Sequence, residues 1–231
     1  MLSNSSHSRL QTLARITALG AVAALGSLVN PAVAAAALDN ARTLPLDDDR
    51  AIEVLQADTS IQWYPPLDSS PLSAEFFSDG TTSVRITGPD ADRFTGTKLT
   101  VGYQIGYPVA LPGATVHVIT PGVDVGTDTS ANLAVELIPD LAVGVDLGTG
   151  NSLAASILPE QEIEVELEPG GITDVPIVEE HEFDGASATV RFAGIHGSVS
   201  GVLGPVTIRP YARAVTSSND VVVTYGKPQR F

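Results

Sequence analysis

The stretch LAVELIPDLAVGVDL, which runs from Leu133 to Leu147, has an apolar residue at every odd position, whereas its even positions are small or acidic apart from Ile138. Successive side chains of a β-strand point to opposite faces, so this alternation predicts a strand with one apolar and one polar face. At roughly 3.3 Å per residue, the strand is longer than most strands of globular sheets and long enough to cross a hydrocarbon layer when tilted.

The sequence before this strand continues the same pattern. Val123 and Val125 extend the apolar face, and Asp124 and Asp128 extend the polar face. The segment GTDTSAN, residues 126–132, has the composition of a turn. Residues of about 114–147 are therefore predicted to form one long β-hairpin.

The apolar face of this hairpin could contact either lipid or the core of a soluble sandwich, and the periodicity is the same in both cases. The aromatic girdle typical of membrane barrels is missing, since Pro108 to His181 contains no Phe, Tyr or Trp. That absence favours the soluble alternative, so both remain open on the pattern alone.

Composition excludes several classes of protein. The chain has 231 residues, with 27 acidic and 12 basic side chains and no cysteine. This length suggests one or two domains, and the lack of cysteine excludes disulfides, thiolate metal sites and a cysteine nucleophile. A net charge of −15 argues against a nucleic-acid partner, because binding phosphates needs clustered Lys and Arg.

The first 34 residues have the layout of a secretory signal peptide. Arg9 and Arg15 precede an apolar run from Ile16 to Val29, and Ala32-Val33-Ala34 is a small-x-small cleavage signal. The apolar run is shorter than the roughly 20 residues of a membrane-spanning helix, which disfavours an anchor. We expect residues 35–231 to form a single mature domain.

The rest of the chain is predicted to be rich in β-structure, with turns at short intervals. The strand-like runs are Ser83–Thr87, Thr97–Tyr103, Ala188–Phe192, Val206–Arg213 and Asp220–Tyr225. Ala51–Leu55 and Ser73–Phe77 are each predicted to form a short helical turn, with Ser73 capping the second. The predicted fold class is all-β.

No catalytic or metal-binding constellation stands out. His117, His181 and His196 lack metal-ligand spacing, and Ser198 and Ser200 lie in a strand-like run without a G-x-S-x-G elbow. His196 precedes Gly197 and is predicted to serve a turn. We therefore expect no enzyme activity, no cofactor and no metal.

A series of short motifs resembles the MspA-type porins of mycolic-acid-bearing actinobacteria. The motifs follow in order along the mature chain: LDN at 38–40, GPDADRFTGT at 88–97, GYQIGYP at 102–108, HGSVSG at 196–201, RPYAR at 209–213 and TYGKP at 224–228. The resemblance implies a goblet-shaped homo-octamer. Each chain would donate one hairpin to a sixteen-stranded transmembrane barrel, above which a soluble β-sandwich forms a rim.

Acidic side chains are concentrated in the middle of the chain. The 92 residues between Lys98 and Arg191 contain 15 acids and no Lys or Arg. Compared with the family, residues of about 158–185 look like an acidic insertion, in which Ile163, Val165 and Leu167 alternate with glutamates. A solvated strand of the rim and a vestibule that gathers cations both fit this pattern. A calcium site would need a D-x-D-x-D-G spacing, which is absent.

The predicted function is a porin of the mycolate outer membrane that passes small hydrophilic solutes by diffusion and prefers cations. Its expected partners are other copies of itself, mycolate lipids, small hydrophilic solutes and cations. The predicted pore-lining residues are Asp124, Asp128, Glu136, Asp140 and Asp146, with Asp124 and Asp128 forming the constriction near the hairpin turn. The alternative is a secreted soluble β-sandwich for binding or adhesion.

Overall fold

The structure is a computed structural model that describes residues 37–126 and 155–231, and these residues form two antiparallel β-sheets. A 3-10 turn, Ala91–Arg93, lies between the third and fourth strands. The strands in chain order are β1 (Leu38–Pro45), β2 (Ala51–Tyr64), β3 (Ala74–Thr87), β4 (Thr97–Tyr107), β5 (Val109–Thr120), β6 (Val123–Gly126), β7 (Ala155–Leu158), β8 (Gln161–Glu166), β9 (Gly171–Phe183), β10 (Ser187–Leu203), β11 (Thr207–Val215), β12 (Val221–Tyr225) and β13 (Gln229–Arg230). The all-β prediction is confirmed.

The larger sheet has the strand order β1-β2-β3-β10-β5-β8, and β6 joins it by pairing with β10 and with β7. The smaller sheet has the order β12-β11-β4-β9, with β13 also paired to β11. At one lateral edge β1 lies beside β12, where the Thr224 hydroxyl donates a 2.6 Å hydrogen bond to Asn40 Oδ1. At the other edge the larger sheet ends in β8 and the smaller sheet ends in β9.

The core lies between the two sheets and follows from alternation along their strands. In β4 the residues Leu99, Val101, Tyr103 and Ile105 are each at most 1% exposed. The facing strands of the larger sheet contribute residues such as Ile52, Val54, Phe76, Val84, Val116, Val118, Val190 and Val199. Each such side chain stabilises the fold by about 1.5–3 kcal/mol through the removal of apolar surface from water.

Two glycines in the family motifs are required by close packing. Phe76 of β3 lies against Gly197 of β10, and a Cβ at Gly197 would overlap the Phe76 ring. At Gly102 of β4 a Cβ would collide with the Val175 carbonyl oxygen and lie 3.1 Å from a ring atom of Tyr211. Only glycine fits at these two positions without displacing a neighbour.

The predicted strands are confirmed, but both predicted helical turns are wrong. Ala51–Leu55 begins β2, and all but the first residue of Ser73–Phe77 belongs to β3. In β2 the side chains of Ile52 and Val54 are fully buried while their neighbours are partly exposed. That alternation, stabilised by long-range pairing between β2 and β3, outweighs the local preference for a helical turn.

The predicted hairpin does not start at residue 114. Residues 114–120 lie in β5, which pairs with β10 and β8, and Ala114, Val116 and Val118 are buried in the core. Gly126, the first residue of the predicted turn, is a strand residue paired on both sides. Residues 127–147 of the predicted hairpin lie outside the described residues.

The acidic stretch of residues 158–185 is an integral part of the fold and not an addition to it. It supplies β8 to the larger sheet and β9 to the smaller one. The side chains that alternate with its carboxylates, including Leu167, Val175, Ile177 and Phe183, are buried in the core. The described residues contain no helix that is long and apolar enough to cross a membrane.

Candidate functional site

One pair of short strands, β6 and β7, flanks residues 127–154, which lie outside the described part of the chain. β6 pairs with β10 on one side, where Val125 lies opposite Val190. On its other side β6 pairs antiparallel with β7, so that Val123 lies opposite Leu158 and Gly126 opposite Ala155. Val123 and Val125 are buried, which fixes this strand pair to the core. The two ends of the segment 127–154 are therefore held side by side at the edge of a sheet.

Of the predicted pore-lining residues, only Asp124 lies within the described part of the chain. Its backbone belongs to β6, opposite Arg191 of β10 and Ile157 of β7. It therefore lies in the paired base formed by β6 and β7, next to the residues 127–154 that the structure does not describe. The remaining four lie outside the described residues: Asp128, Glu136, Asp140 and Asp146.

An exposed row of carboxylates follows directly after this base. β8 places Glu162, Glu164 and Glu166 on the solvent face of the larger sheet, while Ile163 and Val165 pack inward. Glu162 Oε1 lies 2.7 Å from Nε2 of His117 on the neighbouring β5. The predicted alternation in this segment is confirmed, and so is its acidic face.

A second histidine–glutamate pair lies on the same face of the larger sheet. His196 Nε2 lies 2.6 Å from Glu75 Oε1, and the Leu67 backbone N–H donates a 3.1 Å hydrogen bond to Glu75 Oε2. The Phe77 ring stacks on the His196 imidazole at a centroid distance of 4.8 Å. The prediction that His196 serves a turn is wrong, because it lies within β10.

Sequence reasoning missed this pair, although a signal was present. Glu75 is the only charged residue between Leu72 and Ser78, and it is only 6% exposed. A carboxylate in so apolar a run needs a hydrogen-bonding partner when it is buried.

Across the described residues, no cluster of three or more potential metal ligands occurs. Ser200, considered as a nucleophile, shares a 3.2 Å hydrogen bond with Thr115.

Comparison with known proteins adds an independent observation. Residues 48–230 match the sequence profile of the MspA family. The chain is 34% identical to Porin MspC of Mycolicibacterium smegmatis over 230 residues, which cover 94% of each chain. It is 33% identical to Porin MspA of the same organism over 227 residues, covering 92% of this chain and 94% of that one. Porin MspB matches at 33% identity over 217 residues, or 88% of this chain and 89% of the relative.

Proposed function

Because the chain belongs to the MspA family, we propose that it is a porin: a water-filled channel in the mycolate outer membrane through which small hydrophilic solutes diffuse. The observation that carries this proposal is the antiparallel base formed by β6 and β7. It holds together the two ends of a segment whose sequence alternates between apolar and polar residues over Leu133 to Leu147. This is the arrangement that a membrane-inserted hairpin requires.

A single hairpin cannot cross a membrane alone. Its outer strand edges carry unpaired backbone N–H and C=O groups, and hydrocarbon offers them no hydrogen bonds. Several copies of the chain must therefore close one barrel. A barrel of about 16 strands encloses an aqueous channel, which corresponds to about eight chains with two strands each.

The alternation assigns the two faces of the barrel wall. Leu133, Val135, Leu137, Leu141, Val143 and Val145 face mycolate lipid. Glu136, Asp140 and Asp146 face the water-filled lumen, together with Asp124 and Asp128. Repetition around the ring turns each carboxylate into a band of negative charge, which attracts cations and repels anions. Such a channel needs no cofactor and catalyses no reaction.

The first part of the chain directs the protein to secretion. Residues 1–34 act as a secretory signal peptide, and the mature chain of residues 35–231 assembles in the outer membrane. The sandwich formed by the described strands is the part that stays outside the lipid, because its solvent faces carry charged and polar side chains such as those of β8.

The test is a recording in a planar bilayer with purified protein and two matched arginine variants. Val143→Arg places a charge on the proposed lipid face, which costs up to about 4 kcal/mol per site depending on its depth in the membrane, and the cost repeats in every subunit. We expect this variant to give no channels. Ala142→Arg, one residue earlier on the lumen face, is expected to insert and conduct.

Equal insertion of both variants would assign the alternation to a soluble sheet. The absence of conductance in the unaltered protein would contradict the channel itself and would favour the alternative, a secreted soluble sandwich for binding or adhesion.

A further inference from the structure

One lateral edge of the sandwich is strongly acidic. Five glutamates, at positions 160, 162, 164, 166 and 168, lie in and beside the edge strand β8, without any Lys or Arg among them. Within the described residues, Glu164 and Glu166 have no ion-pair partner. Alternate residues of a strand are on the same face, so these like charges repel one another over short distances. We call residues 160–168 the acidic edge.

The opposite lateral edge carries cations. We call β1 together with residues 226–230 the cationic edge, because Arg42, Lys227 and Arg230 lie there, all exposed. None of the three has an ion-pair partner among the described residues. The single carboxylate of this edge, Asp39, accepts a 2.6 Å hydrogen bond from the Thr59 backbone N–H.

The cationic edge also has a groove, exposed apolar side chains and free strand edges, which are features of a surface that binds another protein. A groove runs between β1 and β12 and is lined by residues that include Asn40, Arg42 and Tyr225. Tyr225 is 46% exposed, and Leu38 at the start of β1 is 61% exposed. The strands β1 and β12 each pair on one side only, so both walls of the groove have a free backbone edge.

Topology shows how the two edges would meet. β6 and β7 extend the larger sheet beyond β10, on the same side of β10 as β5 and β8. In a barrel shared by several chains, neighbouring hairpins lie side by side, so that one chain follows the next in the direction perpendicular to the strands. Along that direction the larger sheet of each chain ends in β8 on one side and in β1 on the other.

We propose that the acidic edge of one copy binds the cationic edge of the next copy, so that the sandwiches form a closed head-to-tail ring. This inference rests on the proposed porin function, because that function places the copies side by side. The same surface pair then repeats around the ring, as in any heterologous interface whose rotation closes. The glutamates of β8 lie against Arg42 and Lys227 of the neighbour, which relieves the repulsion within β8.

The first test uses two charge-reversed chains. Chain X carries Glu160→Lys, Glu164→Lys and Glu166→Lys, so that three lysines outnumber the two remaining glutamates and both of its edges are cationic. Chain Y carries Arg42→Glu and Lys227→Glu, so both of its edges are acidic. We expect the unaltered chain to run as a large, heat-resistant oligomer on gels without boiling, and X alone and Y alone to lose that oligomer. Co-expressed X and Y should regain it as a ring of alternating chains, together with channel conductance.

The matched control is Arg85→Glu, which reverses an exposed arginine on the interior strand β3 of the same sheet. It should assemble like the unaltered chain. If X and Y each assemble alone and conduct, the edge contact is wrong while the porin function stands. The contact is also overturned if X and Y are folded but their mixture stays monomeric. If the unaltered chain forms neither oligomer nor channels, both proposals fail.

A second test does not depend on charge reversal. The chain has no cysteine, so Glu164→Cys combined with Arg42→Cys gives one thiol on each proposed edge. A short bismaleimide should link successive copies into a ladder of covalent oligomers on denaturing gels. Glu164→Cys combined with Arg85→Cys should give no ladder. Equal cross-linking of the two variants, or none in the first, would refute the contact.

Discussion

The contact between Gly197 and Phe76 shows how closely single residues are constrained in this sandwich. We predict that Gly197→Ala destabilises the fold by about 1–3 kcal/mol, because the added methyl group has no room beside the Phe76 ring. Gly106→Ala is the matched control, since the nearest atoms to a Cβ there lie at 3.8 and 4.0 Å. Guanidinium unfolding followed by the fluorescence of Trp63, at one protein concentration, measures both. Equal midpoints for the two variants would contradict the packing argument.

A second prediction concerns Tyr103, whose phenol lies in the core at 1% exposure. Burial raises the pKa of Tyr103 above that of an exposed tyrosine. The unfolded chain loses this proton near pH 10, whereas the folded chain keeps it to higher pH. The free energy of unfolding therefore falls as the pH rises above about 10, because the folded state binds more protons there.

Replacing the phenol tests this linkage. Tyr103→Phe is expected to lessen the alkaline loss of stability by more than ~1 kcal/mol, since one unit of pKa corresponds to about 1.4 kcal/mol. Unfolding curves at pH 8 and at about pH 11 give the comparison. A Tyr103→Phe profile that parallels the unaltered protein would rule out this tyrosine as the titrating group.

At the scale of the elements, β5 and the segment 127–154 have different roles. Replacing residues 127–154 by a short Gly-Ser turn should leave a folded sandwich, because β6 and β7 already hold the two ends of that segment together. Replacing residues 114–146 instead removes most of β5 and all of β6. Val116 and Val118 would be lost from the core, and β10 would lose a paired neighbour.

Far-ultraviolet circular dichroism and gel filtration distinguish these two deletions. The shorter deletion is expected to give a soluble species with the β-signal retained and no channels in a planar bilayer. The longer one is expected to aggregate or to lose its β-signal. Two equally well-folded products would show that β5 is dispensable for the core.

At the scale of the whole assembly, the acids of the proposed lumen predict cation selectivity. Asp124→Asn combined with Asp128→Asn should reduce the cation preference, measured as the reversal potential in a KCl gradient. The preference of the unaltered channel should weaken as salt rises, because the Debye length falls from about 10 Å at 0.1 M to about 3 Å at 1 M. An unchanged reversal potential in the double variant would assign the selectivity to other carboxylates.

The next carboxylate to test follows from the position of the segment between Gly126 and Ala155, which are paired with each other. The midpoint of the chain between these two residues falls at Asp140 and Leu141. Asp140→Asn is therefore the companion variant. A larger shift in reversal potential from Asp140→Asn than from the Asp124/Asp128 double variant would place the constriction at the middle of the segment.

The fold class, most of the strands and the family follow from the amino-acid sequence alone. Alternation with period two is a local property, because neighbouring side chains of a strand point to opposite faces whatever the strand pairs with. The acidic face of β8 followed from the same rule, and so did the strand at Ala188–Phe192 within β10. The family motifs could be recognised because they are short and continuous in the chain.

Which strands belong to the sandwich depends on pairing between distant parts of the chain, which the sequence pattern does not contain. The pattern of residues 114–126 fits a lumen wall as well as a core strand, and the choice depends on pairing with β10 and β8. Residues 158–185 resemble an insertion for the same reason. Their charges can be read directly from the sequence, whereas their core contacts are with residues far away in the chain. The histidine–glutamate pair is a further example. His196 and Glu75 are 121 residues apart, and they meet only because β3 and β10 are neighbours in the sheet.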